Sequence, residues 1–295
     1  MDFFVSWSHS DPIYCNYFES CNMLISTSGV SSTFNLGTWH NHPKRLIVDS
    51  GAFYYLNSSA SPETQTSIFL KQVSIIRGVK AETILCHLDN PINPKASDQV
   101  STFLSVEKTL GNAYEFLKLF QSYNWGEYDL VKPLAVIQGV DKSSIKFCAT
   151  ELRDMGYKLF GLGSLAALYN PPEILRRIET SVDVVGGDNL HIFGISRFDI
   201  IKQLKKMKVR SLDSSRPIKA AIHNAVFYSN PFRVYGIKGT KNENCYTRKI
   251  SKALPCPCPI CQNRHNLLLK TGNNKTTKAR AVHNYYHLVK QIESI

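Results

Sequence analysis

Short apolar runs rich in β-branched residues alternate with longer amphipathic runs along most of the chain. Leu46-Ile47-Val48 predicts a strand, followed by a helix over 62–79. Thr83-Ile84-Leu85-Cys86 precedes a long helical run over 97–121, and Leu134-Ala135-Val136-Ile137 precedes a helix at 144–155. Lys158-Leu159-Phe160 and Leu190-His191-Ile192-Phe193 are followed by helices at 172–180 and 198–207, and Val209-Arg210-Ser211-Leu212 comes next. Further strand candidates at Met23–Ser26 and Ala225–Tyr228 bring the count close to eight. Alternation of this kind pairs parallel strands through helical crossovers. A count near eight favours an α/β fold of the (β/α)8 TIM-barrel type over an open doubly wound sheet. The alternation stops near Gly239, so a barrel domain is expected over 1–238 and an appended subdomain over 239–295.

In such a barrel the chemistry sits where the strands end. Val48 is followed by Asp49-Ser50-Gly51-Ala52-Phe53, His87-Leu88 by Asp89-Asn90-Pro91, and Ile137 by Gln138-Gly139. Phe160 is followed by Gly161-Leu162-Gly163-Ser164, Phe193 by Gly194-Ile195-Ser196, and Leu212 by Asp213-Ser214-Ser215-Arg216-Pro217. A single aspartate at a strand end reads as a helix cap. Three of them, with an amide and several glycines, read as a site. No glycine-rich phosphate loop accompanies them; Gly161-x-Gly163 alone is a weak nucleotide signal.

Charge changes the picture at the far end. The chain has 295 residues and a net charge of +12. Between Arg233 and Arg280 eleven lysines or arginines face a single acid, Glu243. A stripe of this sign attracts polyanions, nucleic acid first. No stretch approaches the ~20 apolar residues of a membrane span, and Met1-Asp2-Phe3-Phe4-Val5 lacks the basic start of a secretory leader. A soluble, cytoplasmic protein of a bacterial or phage-infected cell, with no membrane partner, is the expectation.

Of eight cysteines, three are packed into Pro255-Cys256-Pro257-Cys258-Pro259-Ile260-Cys261. Cysteines this close pair poorly with one another but can converge on one metal ion. A structural zinc site is expected, its fourth ligand drawn from His265, His283 or His287; the last two lie four apart on a predicted helix over 279–292.

The rim has a specific chemical use. Aspartate accepts from the N–H groups of a guanine edge, and glutamine can donate to its carbonyl. Glycine lets backbone approach a flat ring, and Phe53 or Tyr54 could stack on it. One carboxylate could attack a sugar carbon while a second moves protons. The set suits an enzyme that processes the base of a flipped-out nucleotide.

Asp49-Ser50-Gly51, Gln138-Gly139, Gly161-Leu162, Phe193-Gly194 and Asp213, in that order, resemble the guanine transglycosylases that exchange guanine for a 7-deazaguanine. Cys256-x-Cys258-x2-Cys261 with His283-Asn284 resembles that family's zinc site. The resemblance runs from about Leu46 to Leu288. It implies a modified (β/α)8 barrel with a zinc subdomain. It implies Asp213 as the nucleophile on C1′ and Asp49 as general acid/base. Asp89, Gln138, Gly139, Gly161 and Leu162 would read the base edge, with Phe53 on one face and Phe193-Gly194 near the other. His283 becomes the fourth zinc ligand, with His287 the fallback. Nucleic acid, a free 7-deazaguanine such as preQ0, and a possible homodimer follow as partners.

Two departures bear on the substrate. After Asp-Ser-Gly many tRNA-acting members carry a second glycine, an aromatic and a glutamine; here the run is Ala52-Phe53-Tyr54. After the nucleophile the bacterial tRNA enzymes carry a Pro-Thr-Arg type run; here it is Ser214-Ser215-Arg216-Pro217. With the chain's modest length, these differences favour the phage and bacterial branch that inserts 7-deazaguanines into DNA (DpdA) over the tRNA enzymes of queuosine or archaeosine type. A non-catalytic nucleic-acid-binding zinc protein and a two-carboxylate nucleoside or glycoside hydrolase are the competing classes.

Overall fold

The computed structural model describes residues 1–56, 63–93, 98–126, 130–165, 168–264 and 267–295. Eight parallel strands close into a barrel in chain order: β1 (Asp2–Trp7), β2 (Asn22–Ser26), β3 (Arg45–Asp49), β4 (Glu82–Cys86), β5 (Val131–Ile137), β6 (Phe160–Leu162), β7 (Leu190–Ile192) and β8 (Ser211–Ser214). The helices α1 (Ala52–Tyr55), α2 (Gln65–Ile76), α3 (Gln99–Ser122), α4 (Lys142–Asp154), α5 (Pro171–Val185) and α6 (Phe198–Lys206) lie between β3 and β8 in sequence. The (β/α)8 barrel read from the alternation is the observed fold.

Burial explains why the strands read as unbroken apolar runs. A parallel strand in a barrel is covered on both faces, and Leu46, Ile47 and Val48 of β3 are fully buried. Inward-facing Phe4, Leu24, Ile47, Ile84, Cys86, Leu134 and Val136 form one cluster inside the barrel. The helices show the complementary pattern. In α4, Ile145, Cys148, Ala149 and Leu152 make the buried stripe. Its start is fixed by a capping box between Asp141 and Ser144.

Register sets the site. Ser26 pairs with Asp49, Val48 with Leu85, Ile137 with Leu162, Leu162 with Ile192, and Ile192 with Leu212. Residues at or just past these positions emerge at one end of the barrel.

Two strand assignments need correction. β1 is absent from the expected strands, since Phe3-Phe4-Val5 is too short a run at the start of the chain to show the alternation with a following helix. The three are buried barrel residues. Ala225–Tyr228 is a strand, β9, but it lies outside the barrel. It pairs antiparallel with β10 (Arg233–Ile237), which pairs with β11 (Lys249–Ile250). A short apolar run carries no label saying which sheet it joins.

The compact units also differ from the expected 1–238 and 239–295. One comprises residues 1–8 and 22–213, the other 9–21 and 214–295. The reason is local to the second unit. There α7 (Arg216–Ile222) and β9 pack on the long C-terminal helix α9 (Asn274–Ser294). Asn284 of α9 accepts from Phe227 N (2.9 Å) and donates to the carbonyls of Ala225 (3.0 Å) and Pro217 (3.2 Å). Arg280, 1% exposed, donates to the Ala221 carbonyl at 3.2 Å and to Asn224 Oδ1 at 3.0 Å. Arg280 is thus a core residue of this unit, whereas Arg233, Lys238, Lys241, Arg248, Lys252 and Lys270 are exposed.

Candidate active site and metal centre

The barrel strands carry the expected residues to one rim. Asp213 lies within β8 and is 5% exposed. Its Oδ1 accepts from the Gly194 N–H at 2.8 Å and lies 3.4 Å from His191 Nε2; its Oδ2 accepts from Ser6 Oγ at 2.5 Å. His191 Nδ1 is 2.8 Å from Ser211 Oγ. If Ser211 donates to Nδ1, the Nε2–H points at the carboxylate, the tautomer that avoids facing a lone pair against it.

Asp49 closes β3, and its Oδ2 accepts from Gly51 N at 3.0 Å. Burial pushes its carboxyl above the usual range. The bond from Gly51 opposes this, and the negative charge of Asp213 adds to it. Gly51 sits at φ 79°, and a Cβ there would lie 2.9 Å from the Ser28 backbone nitrogen. Glycine is required where the chain turns from Asp49 into α1. That turn presents Phe53 and Tyr54, 47% and 55% exposed.

Asp89 follows β4 and is 8% exposed. Burial and then the charge of Asp49 push its carboxyl up to about 7, against hydrogen bonds from Gln138 and Ser50. Gln138 Nε2 donates to Asp89 Oδ2 at 2.5 Å, and Ser50 Oγ to Oδ1 at 3.3 Å. At its other end Gln138 Oε1 accepts from Ser164 Oγ at 2.7 Å, and Ser164 Oγ in turn accepts from Ile92 N at 3.0 Å. This chain fixes which way the buried amide points. Gln138 thereby holds Asp89, and a cleft of about 270 Å³ opens beside Asp89, lined also by Ala52, Tyr55, Asn90 and Lys108.

Phe193 packs against the barrel cluster. A Cβ on Gly161 would come within 2.4 Å of its ring, so the close approach requires glycine there. Leu162 is buried, its carbonyl 3.4 Å from Phe193 N. The Gly139 carbonyl accepts from the buried Arg177 at 3.3 Å. Two residues of the site escaped the sequence reading, Ser6 and His191. Both sit inside apolar runs, whereas the reading took only the residues after each run. The available signal was a polar side chain on the inward face: Ser6 shares the face of Phe4, two residues away.

In the second unit Cys256, Cys258, Cys261 and His283 bring their ligand atoms within 4.8 Å of one another. His283 Nδ1 lies 3.3, 3.4 and 3.8 Å from the sulfurs of Cys258, Cys261 and Cys256. Its Nε2 lies 2.8 Å from the Phe227 carbonyl, which accepts from the Nε2–H, so Nδ1 carries the lone pair that can ligate. His287 is arranged differently. Its Nδ1 accepts from Ser229 N at 3.0 Å, so the proton is on Nε2, 3.1 Å from Cys256 Sγ. His287 thus donates to the Cys256 sulfur, and the group whose ligand atoms converge contains His283 rather than His287. His265 lies outside the described residues.

A closed eight-stranded barrel with a carboxylate-lined rim, joined in one chain to a Cys3His cluster, defines a narrow class. The family model described as queuine tRNA-ribosyltransferase (TGT) matches residues 30–295, and the chain belongs to this family. A DNA-guanine transglycosylase of Salmonella montevideo is 25% identical over 177 residues, 59% of this chain. The match takes in 41% of that protein, so the chain spans less than half of the relative's length.

Proposed function

We propose that the protein is a guanine transglycosylase that replaces guanine in DNA by a 7-deazaguanine base such as preQ0. The observation that carries this reading is the Asp213 carboxylate, held on both oxygens at the end of β8, with a second carboxylate, Asp49, at the end of β3. Asp213 attacks C1′ of the target nucleotide, and the C1′–N bond pair leaves with guanine. Asp49, its proton affinity raised, protonates the departing base and later deprotonates the incoming one. Attack by the new base returns the bond pair to Asp213. Two displacements at one carbon restore its configuration. Asp89 accepts from the base edge, oriented by Gln138, and Phe53 stacks on the ring.

The Cys3His cluster fits zinc. Tetrahedral Zn–S and Zn–N bonds of about 2.3 and 2.0–2.1 Å set sulfur–nitrogen separations near ~3.6 Å, against the 3.3–3.8 Å found. All four positions are taken by protein, so the ion's role is structural. Preference for DNA over tRNA rests on the named relative and on the runs Ala52-Phe53-Tyr54 and Ser214-Ser215-Arg216-Pro217. The exposed basic residues of the second unit supply the attraction for phosphates.

Incubation with labelled preQ0 and either duplex DNA or tRNA tests the reading. Label should enter DNA; label confined to tRNA would move the protein to the tRNA branch, and label in neither would remove the activity. A pH profile tests Asp89. Its carboxyl titrates near 7, so the accepting carboxylate is lost as pH falls. The value of kcat/KM should drop about tenfold per unit below that point. A profile flat between about pH 5.5 and 8.5 would contradict the assignment.

A further inference from the structure

We infer that Ser6, on β1, governs the partition between free and glycosylated Asp213 by hydrogen-bonding the oxygen that forms the covalent bond. The inference rests on the proposed reading of Asp213 as nucleophile. Ser6 precedes the residues 30–295 that the family model matches. It reaches the site because the barrel closes with β1 beside β8, where Asp2 N donates to the Arg210 carbonyl at 2.8 Å, and Ser6 Oγ meets Asp213 Oδ2.

The two carboxylate oxygens are not equivalent. Each can accept along about two lone-pair directions. Oδ1 accepts from the Gly194 N–H at 2.8 Å and faces His191 Nε2 at 3.4 Å, so both its sides are occupied. The His191 ring is itself held by Ser211 and by edge contacts with Phe4 and Phe193. Oδ2 takes its bond from Ser6 at 2.5 Å, and among the described residues no second donor to it is found. Oδ2 therefore keeps a lone pair for C1′, and Oδ1 becomes the ester carbonyl, still served by Gly194.

The consequence has a direction. Before attack, the Ser6 hydroxyl donates to a charged carboxylate oxygen, a strong hydrogen bond. Once Oδ2 bonds C1′ and the C1′–N9 pair has left with the protonated guanine, that oxygen is a neutral ester oxygen and a poor acceptor. The Ser6 bond thus favours the free carboxylate over the adduct. In the second displacement N9 of the incoming base loses its proton and bonds C1′, and the C1′–O pair returns to Oδ2. Ser6 is ready to receive that charge, so it makes Asp213 a better leaving group. Ser6 is a positioning residue that acts through Asp213.

The test is an equilibrium. The full chain is mixed with a duplex oligodeoxynucleotide and, separately, with tRNA. Adduct is trapped by denaturation across a series of free guanine concentrations. In Ser6→Ala the guanine concentration that halves the adduct should rise about tenfold or more, from loss of a hydrogen bond to a charged group. The KM for nucleic acid should stay near that of the wild type, and Ser6→Thr, which keeps the hydroxyl, should return the wild-type value. An unchanged or lowered halving concentration in Ser6→Ala, with adduct present in the wild type, overturns the role of Ser6 alone. No adduct in the wild type on either nucleic acid overturns the proposed function, and this inference with it.

Discussion

Asp213→Asn should abolish both base exchange and the trapped covalent adduct, with exchange falling by about four to six orders of magnitude. The amide is close in shape to the carboxylate, so the contact from Gly194 N–H to Oδ1 can persist. Folding should therefore be kept, and thermal unfolding and nucleic-acid binding serve as controls. What the amide lacks is an anionic oxygen to attack C1′. A variant that still traps adduct would move the nucleophile to another rim carboxylate, Asp49 or Asp89. A variant that loses binding and exchange in equal measure would recast Asp213 as a binding group.

The second large effect concerns the metal. One zinc per chain should be found, and a strong chelator should unfold the 9–21/214–295 unit. Structural zinc contributes about 10–16 kcal/mol of apparent binding free energy in small domains, comparable to the ~5–15 kcal/mol by which whole proteins are stable. His283→Ala should remove the ion and reproduce the chelated state. His287→Ala should only lower zinc affinity, by about 10–100-fold, since it deletes a hydrogen bond to the Cys256 sulfur. Exchange should fall with the loss of fold and return when zinc restores it. If chelated protein keeps its melting profile, the cluster is not structural. If the two histidine variants behave alike, the division of roles between them fails.

These residues show where a single chain is legible. Asp49 and Gln138 stood out because each follows an unbroken apolar run, Leu46–Val48 and Leu134–Ile137, that ends at the rim. The cysteine cluster stood out because its spacing has few other uses. Ser6 and His191 were hidden for the converse reason. They lie within the runs, and only the closed register reveals that they face Asp213. The roles of His283 and His287 could not be separated by spacing, since both lie on one face of α9. What separates them is the partner of the far ring nitrogen, the Phe227 carbonyl for one and the Ser229 N–H for the other. Asn284 was legible only as half of a family signature, and its three hydrogen bonds to Phe227, Ala225 and Pro217 give it a physical task. The boundary expected at 238/239 followed composition, whereas the compact unit follows packing of α7 and β9 on α9.

The central claim is that Asp213 bonds to the sugar carbon from which guanine leaves. Wild-type protein can be incubated with a duplex oligodeoxynucleotide, denatured, digested with protease and nuclease, and its peptides mapped by mass. A nucleotide remnant lacking guanine should be found on Asp213, with free guanine released in equal amount. A remnant on Asp49 or Asp89, or guanine release with no modified peptide, would contradict the account.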